Sequence, residues 1–81
     1  MSETVSERVA ANVRAEAARL KMSQRHIAHT LGISQSSANR RYLGITPIDV
    51  NELYRLANSF GVPVAQLLPA EEPQGIQPVA M

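Results

Sequence analysis

With 81 residues and no cysteine, the chain is long enough for one small domain and excludes disulfide bridges and thiolate metal ligands. Its hydrophobic content of 44% is sufficient for a single buried core. No apolar run approaches the length of a membrane span, and the first residues lack the basic-then-apolar order of a signal peptide. We therefore expect a protein of the cytoplasm.

The net charge of +1 conceals an uneven distribution. Residues 1–45 carry seven Lys and Arg against three acids, and residues 46–81 carry one Arg against four acids, so +4 and −3 sum to +1. No acid occurs between Ala17 and Ile48, a segment that holds five Lys and Arg. Such a basic segment is either an ordinary solvated surface or the contact region for a polyanion such as nucleic acid.

The first predicted element is an amphipathic helix that starts near Val5 and ends around Lys21. Thr4 and Glu7 have the spacing of a capping box at its N-terminus. Apolar residues repeat every three or four positions and predict the stripe that faces the core: Val5, Val9, Val13, Ala17 and Leu20. The basic residues of this helix, Arg14 and Arg19 among them, are expected to lie in solvent.

The segment from Gln24 to Gly44 predicts two short helices around a tight turn; its sequence is QRHIAHTLGISQSSANRRYLG. Ser23 and Ser34 are the predicted N-caps of the two helices. Gly32 stands where the first of them must stop, because glycine accepts a positive φ there. The second helix is expected to run from Gln35 to about Leu43. The small apolar residues of this segment point inward in the prediction, and most of the second helix surface is polar.

Two further helices are predicted after a connector that contains Pro47. Asp49 with Glu52 repeats the capping-box spacing. The predicted apolar face of the fourth helix comprises Val50, Leu53, Leu56, Ala57 and Phe60. Pro63 opens a short fifth helix whose predicted core residues are Val64, Leu67 and Leu68. Residues 69–81 contain three of the five prolines without any period, which predicts a flexible C-terminal tail.

These features resemble the helix-turn-helix of the Cro and phage-repressor type (lambda-repressor-like, Xre-type). The resemblance rests on Ala28, Gly32, Ile33 and Ala38, on the phrase LGISQSSANR, and on ELYRLANSFGVPVAQLL as the fourth and fifth helices. It implies an all-α, five-helix domain over residues 1–68 with the helix-turn-helix at about 24–43. Arg41 departs from the pattern, since the family places an apolar residue there. Either Tyr42 and Leu43 supply the core contact, or the stem of Arg41 packs inward with its head in solvent.

In this family the second helix of the motif lies in the major groove, where each base pair shows a distinct pattern of donors and acceptors. The resemblance implies a base-reading set of Gln35, Ser36, Asn39 and Arg40. Gln and Asn can bind adenine through two hydrogen bonds, and Arg can bind guanine in the same way. It also implies a phosphate-binding set of Gln24, Arg25, Ser34, Ser37, Arg41 and Thr46, with Gln24 at the start of its helix resembling the family's backbone-clamping glutamine.

The implied function is that of a sequence-specific double-stranded DNA-binding transcriptional regulator, a phage or mobile-element repressor or Cro-like protein that occupies an operator. The implied partners are the operator duplex and a second copy of the chain in a weak homodimer that forms on DNA, through the fifth helix and the tail. Two alternatives stay open. One is an antitoxin-like or polymerase-directed protein-interaction module, and the other is a DNA-bending recombination accessory protein.

Catalytic and metal-binding patterns are missing from the sequence. His26 and His29 are spaced as two ligands on one helix could be, but no Cys and no nearby acid supplies a third. No arrangement of nucleophile and base and no phosphate-cradling glycine loop occurs. We expect no enzyme activity, no cofactor, no metal and no small-molecule ligand.

Overall fold

A computed structural model describes residues 3–70, and within them the chain forms four α-helices and one 3₁₀ helix. The helices are α1 (Val5–Arg19), α2 (Gln24–Leu31), α3 (Gln35–Tyr42) and α4 (Val50–Phe60), and the 3₁₀ helix is η1 (Val64–Leu67). The predicted all-α class is therefore confirmed over these residues. The fifth helix is a single 3₁₀ turn rather than an α-helix. Most of the predicted tail, residues 71–81, lies outside the described residues.

The helix ends follow from the capping residues that the sequence offers. Thr4 and Asp49 each form a complete capping box with the Glu three positions later, at the N-termini of α1 and α4. Ser23 and Ser34 accept a backbone N–H at the N-termini of α2 and α3. All four predicted N-caps are thus confirmed.

One core holds the helices together. Its buried members come from α1, α2, α4 and η1: Val9, Val13, Ala17, Ile27, Leu31, Leu53, Leu56, Ala57, Phe60 and Leu67. Three predicted core residues are wrong, since Val5 is 65% exposed, Val50 69% and Leu68 44%. Val5 and Val50 occupy the first position of their helices and Leu68 follows the last turn of η1, so each lies where its helix leaves the core.

Helix α1 lies between the C-terminal end of α3 and the segment around η1. On one side Asn12 donates a hydrogen bond to the Leu67 carbonyl at 3.1 Å. On the other side Gly44 lies so close to α1 that an added Cβ would be 3.0 Å from the Cα of Glu7. Helix α1 therefore contacts both the segment that follows α3 and the end of η1.

The C-terminus of α1 contains an unusual backbone conformation. Lys21 has φ 58°, and it is the only non-glycine residue with positive φ between residues 3 and 70. Its amide donates to the Ala18 carbonyl and the amide of Met22 donates to the Ala17 carbonyl, which is the Schellman arrangement that normally carries glycine.

Between residues 3 and 70, no helix has the length and apolar character needed to cross a bilayer.

Candidate nucleic-acid interface

The pair α2 and α3 meets around a tight turn that the sequence specifies locally. Gly32 ends α2 with φ 68°, and the amide of Ile33 donates back to the Ala28 carbonyl at 3.0 Å. Ile33 packs against the core, and Ala38 of α3 is fully buried. Because Ala38 has only a methyl group, α3 can approach the rest of the domain closely while its opposite face stays open.

The open face of α3 carries hydrogen-bonding side chains. The four residues predicted to read bases are all exposed there: Gln35, Ser36, Asn39 and Arg40. Ser36, Asn39 and Arg40 are spaced i, i+3 and i+4, so they share one side of the helix. The helix contains no acidic residue. The structure thus brings the predicted set together on one surface, and base contact by that set stays a prediction.

The six residues predicted to bind phosphate do not share one environment. Arg25 is exposed near the N-terminus of α2, and Gln24 there donates from Nε2 to Asn39 Oδ1 at 3.1 Å. Ser34 uses its hydroxyl to accept the Ser37 amide as the cap of α3. Thr46 is half-buried behind the C-terminus of α3, where its amide donates to the Arg40 carbonyl.

The N-termini of α2 and α3 differ from those of the other two α-helices. The first turns of α1 and α4 contain Glu7 and Glu52, whereas the first turns of α2 and α3 contain no acid. A helix N-terminus carries a partial positive charge. At α1 and α4 a carboxylate compensates that charge, and at α2 and α3 only a neutral serine cap is present.

Three cations of the basic segment are not paired with an acid among residues 3–70. Lys21, Arg25 and Arg40 form no ion pair with any other residue of the range 3–70, whereas Arg19 pairs with Glu16 at 2.7 Å. Of the five basic residues between Ala17 and Ile48, three are thus without an ion pair among the described residues.

Arg41 is the predicted phosphate ligand whose surroundings differ most from the expectation. Its Nε donates to Glu52 Oε1 at 3.0 Å and its Nη1 donates to the Ser37 carbonyl at 3.2 Å. Its side chain is 20% exposed and that of Glu52 is 9% exposed. The head of Arg41 is thus directed to α4 rather than to solvent. Tyr42 packs against the core, and Leu43 is 53% exposed, so of the two candidates for the missing core contact only Tyr42 supplies it.

A second arginine contact was missed by the sequence reasoning. Arg14, expected in solvent, donates from Nη1 to the Tyr42 carbonyl at 2.6 Å. That carbonyl belongs to the last turn of α3, where backbone acceptors lack helical partners. The expectation for Arg14 was therefore wrong. The residues are 28 positions apart, and nothing in the local pattern around Arg14 indicates this partner.

Few side chains on this surface could bind a metal ion. His26 and His29 are both exposed on α2. Among residues 3–70, no three His, Asp or Glu side chains are grouped closely enough to hold a metal ion.

Comparisons with known proteins place this geometry in context. The family model described as the BetR domain matches residues 1–81. A crystal structure of the DNA-binding domain of BldD is similar, with a TM-score of 0.70 and 25% identity over 85% of this chain and 100% of that one. The clp gene regulator ClgR from C. glutamicum is similar, with a TM-score of 0.75 and 18% identity over 82% of this chain and 86% of that one.

One further structural match is to a longer protein, of which this chain covers less than half. A cobalt(II) form of HppE in complex with Tris buffer has a TM-score of 0.79 and 20% identity, and it covers 98% of this chain but only 45% of that one. At this identity the match shows the fold alone. No curated protein sequence matches the chain.

Proposed function

We propose that this chain, which belongs to the BetR-domain family, is a sequence-specific double-stranded DNA-binding transcriptional regulator. One observation carries the proposal. The outward face of α3 presents Gln35, Ser36, Asn39 and Arg40 without any acid. These are the side chains that match the donors and acceptors of base edges in the major groove.

The surroundings of that face support binding to a phosphate backbone. The N-termini of α2 and α3 have no acid in the first turn, and phosphate groups bind favourably at such helix ends. Arg25 and Lys21 lie at or just before the start of α2, and Arg40 lies on α3. We assign positioning on the backbone to Gln24 and Arg25, with Ser34, Ser37 and Thr46 as weaker contributors.

The similar structures support this assignment. One is the DNA-binding domain of BldD and another is the clp gene regulator ClgR. Within this proposal, residues 1–68 are the DNA-binding domain and residues 69–81 a tail. The protein acts as a phage or mobile-element repressor of the Cro type by occupying an operator. A weak homodimer that forms on DNA reads two half-sites about one helical turn apart.

Selection from a random duplex library, followed by titration of the selected duplex at two salt concentrations, tests the proposal. We expect an enriched motif whose binding weakens by about 1–3 kcal/mol in Arg40→Ala, with relaxed preference at one base pair. Arg55→Ala is the matched control, because it removes another exposed arginine, from α4. Arg25→Ala should weaken all duplexes alike and lower the salt dependence by about one ion.

An absence of enrichment, or equal losses in Arg40→Ala and Arg55→Ala, would contradict the proposal. A second candidate function, a protein-interaction module, would then take its place. It is favoured by exposed apolar side chains at the end of α3 and on α4: Leu43, Ile45, Val50 and Tyr54. Soluble proteins leave large apolar side chains exposed singly, but a group of them marks an interaction site when they adjoin one another.

A further inference from the structure

The outward face of α3 continues beyond the polar residues that were predicted to read bases. Each residue of an α-helix advances by about 100°, so directions on α3 can be measured from Ala38, which is fully buried. Asn39 then lies at about 100°, Ser36 at about 160° and Arg40 at about 200°. Leu43 lies at about 140°, between Asn39 and Ser36. The outward face therefore ends in an apolar side chain.

The backbone keeps Leu43 in the register of the helix. Its amide donates to the Asn39 carbonyl at 3.0 Å, and its φ of −91° and ψ of −2° are right-handed helical values. The positive φ of 79° that ends the helical path comes one residue later, at Gly44. Arg14 donates to the carbonyl of Tyr42 at 2.6 Å and so holds this last turn from α1. The direction assigned to Leu43 therefore follows from the helix itself.

The core of the domain does not use this leucine. Its neighbour Tyr42 packs against the core, whereas Leu43 is 53% exposed. A single exposed leucine is ordinary on a protein surface. This one, however, shares its side of the helix with Ser36, Asn39 and Arg40, so a partner that covers those three side chains also covers Leu43.

A DNA duplex offers one group that suits an apolar side chain in such a position. Among the groups that base edges present in the major groove, only the C5-methyl of thymine is apolar, and apolar side chains contact it. The hydrogen-bonding groups of the same base edges match the other three side chains of the face. An apolar protein surface would match Leu43 but would leave those polar side chains without partners.

We propose that Leu43 is a specificity-determining residue, which packs against the C5-methyl group of a thymine and so selects thymine at one position of the recognised site. The inference rests on the proposed function, because Leu43 reaches a base only if α3 lies in the major groove. It adds an apolar contact to the hydrogen bonds assigned to the polar residues of the same face.

The test uses the full chain and the duplex obtained by selection. Each thymine of that duplex is replaced in turn by deoxyuridine, which lacks only the C5-methyl group. The affinity for each duplex is then measured for the wild-type chain and for Leu43→Ala. At one thymine we expect the wild-type affinity to fall by about threefold to fivefold, as the loss of one buried methyl contact provides. In Leu43→Ala the same replacement should leave the affinity unchanged.

Comparing the two proteins on the same pair of duplexes isolates the contact. Any effect of the methyl group on the shape of the duplex acts on both proteins and cancels. Leu43→Met keeps an apolar side chain of similar size and should retain most of the dependence on the methyl group. Ile45→Ala is the matched control, because it removes an aliphatic side chain that is 60% exposed but follows the Gly44 turn. It should leave the dependence on the methyl group unchanged.

Four results would overturn the inference while the proposed function stands. They are a selected site without thymine, a wild-type chain that tolerates every deoxyuridine, a methyl dependence that persists in Leu43→Ala, and a methyl dependence that is lost equally in Ile45→Ala. A Leu43→Ala variant that binds every duplex as the wild-type chain does, but changes the sedimentation mass of the free protein, would overturn it in favour of a contact between copies. A library that yields no motif overturns the proposed function itself.

Discussion

The ion pair between Arg41 and Glu52 allows the sharpest prediction about this domain. It joins α3 to the N-terminus of α4, with Nε and Oε1 3.0 Å apart. The same Oε1 accepts the Asp49 amide of the capping box, and Glu52 is 7% exposed overall. Removing either partner leaves a largely desolvated charge without its counter-ion.

The expected magnitude lies between two limits. Exposed ion pairs contribute about 0.2–1 kcal/mol, and the loss of one partner from a fully buried pair costs about 3–5 kcal/mol. Glu52 is close to the buried limit and Arg41, 20% exposed, is between the two. We expect Arg41→Met, which keeps the apolar stem, to lower the free energy of unfolding by about 1–3 kcal/mol, because it isolates the Glu52 carboxylate.

The converse change should be milder. Glu52→Gln keeps an acceptor for the Asp49 amide, and Arg41 keeps its hydrogen bond to the Ser37 carbonyl. Its expected cost is about 1 kcal/mol. The double variant removes both charges of the pair, so it should be more stable than the sum of the single effects allows, by about 1–2 kcal/mol. Urea unfolding of the four proteins measures this coupling.

Two results would refute this reasoning. Additivity of the single effects to within about 0.5 kcal/mol would mean that the pair contributes nothing. A fall of about one ion in the salt dependence of DNA binding in Arg41→Met, equal to that in Arg25→Ala, would mean that Arg41 leaves Glu52 and contacts phosphate as the sequence suggested.

Three further predictions concern the helix ends and pH. Gly44→Ala should destabilise the domain by about 1–3 kcal/mol more than Gly61→Ala in urea unfolding. Both glycines have positive φ, but only at Gly44 would the new Cβ meet the backbone of α1, 3.0 Å from the Cα of Glu7. Equal losses of stability in the two variants would contradict this close approach. Lys21→Gly should stabilise by about 0.5–1 kcal/mol through relief of a positive φ of 58°, with Lys21→Ala as a control that keeps the strain and gains nothing in thermal unfolding. Hydrogen bonds from Gln66 and from the Arg19 guanidinium lower the pKa of Glu16 below its ordinary 4.5. The contribution of the ionised Glu16 to the stability of the domain is therefore complete above pH 4.5, and it is lost as the pH falls through the lowered pKa. The stability advantage over Glu16→Gln should therefore shrink below pH 4.5, and an advantage that grows on acidification would contradict this.

The sequence by itself determined where the α-helices begin and which face of α3 points outward. Caps act through the nearest backbone amides, so Ser23, Ser34 and the two capping boxes could be found from spacing alone. The polar face of α3 followed in the same way, since Ala38 identifies the inner side and a helix fixes the rest. These are interactions within four residues of each other.

Only the tertiary structure decided which groups the long side chains contact. Arg14 was predicted to lie in solvent and Arg41 to bind phosphate. In the structure Arg14 donates to a carbonyl 28 positions away, and Arg41 pairs with a carboxylate 11 positions away. Val5 and Val50 fitted the apolar periods of α1 and α4 but lie beyond the core. The period of a helix states which residues share a side, whereas the partner available on that side depends on how distant segments pack, and local spacing does not contain that information.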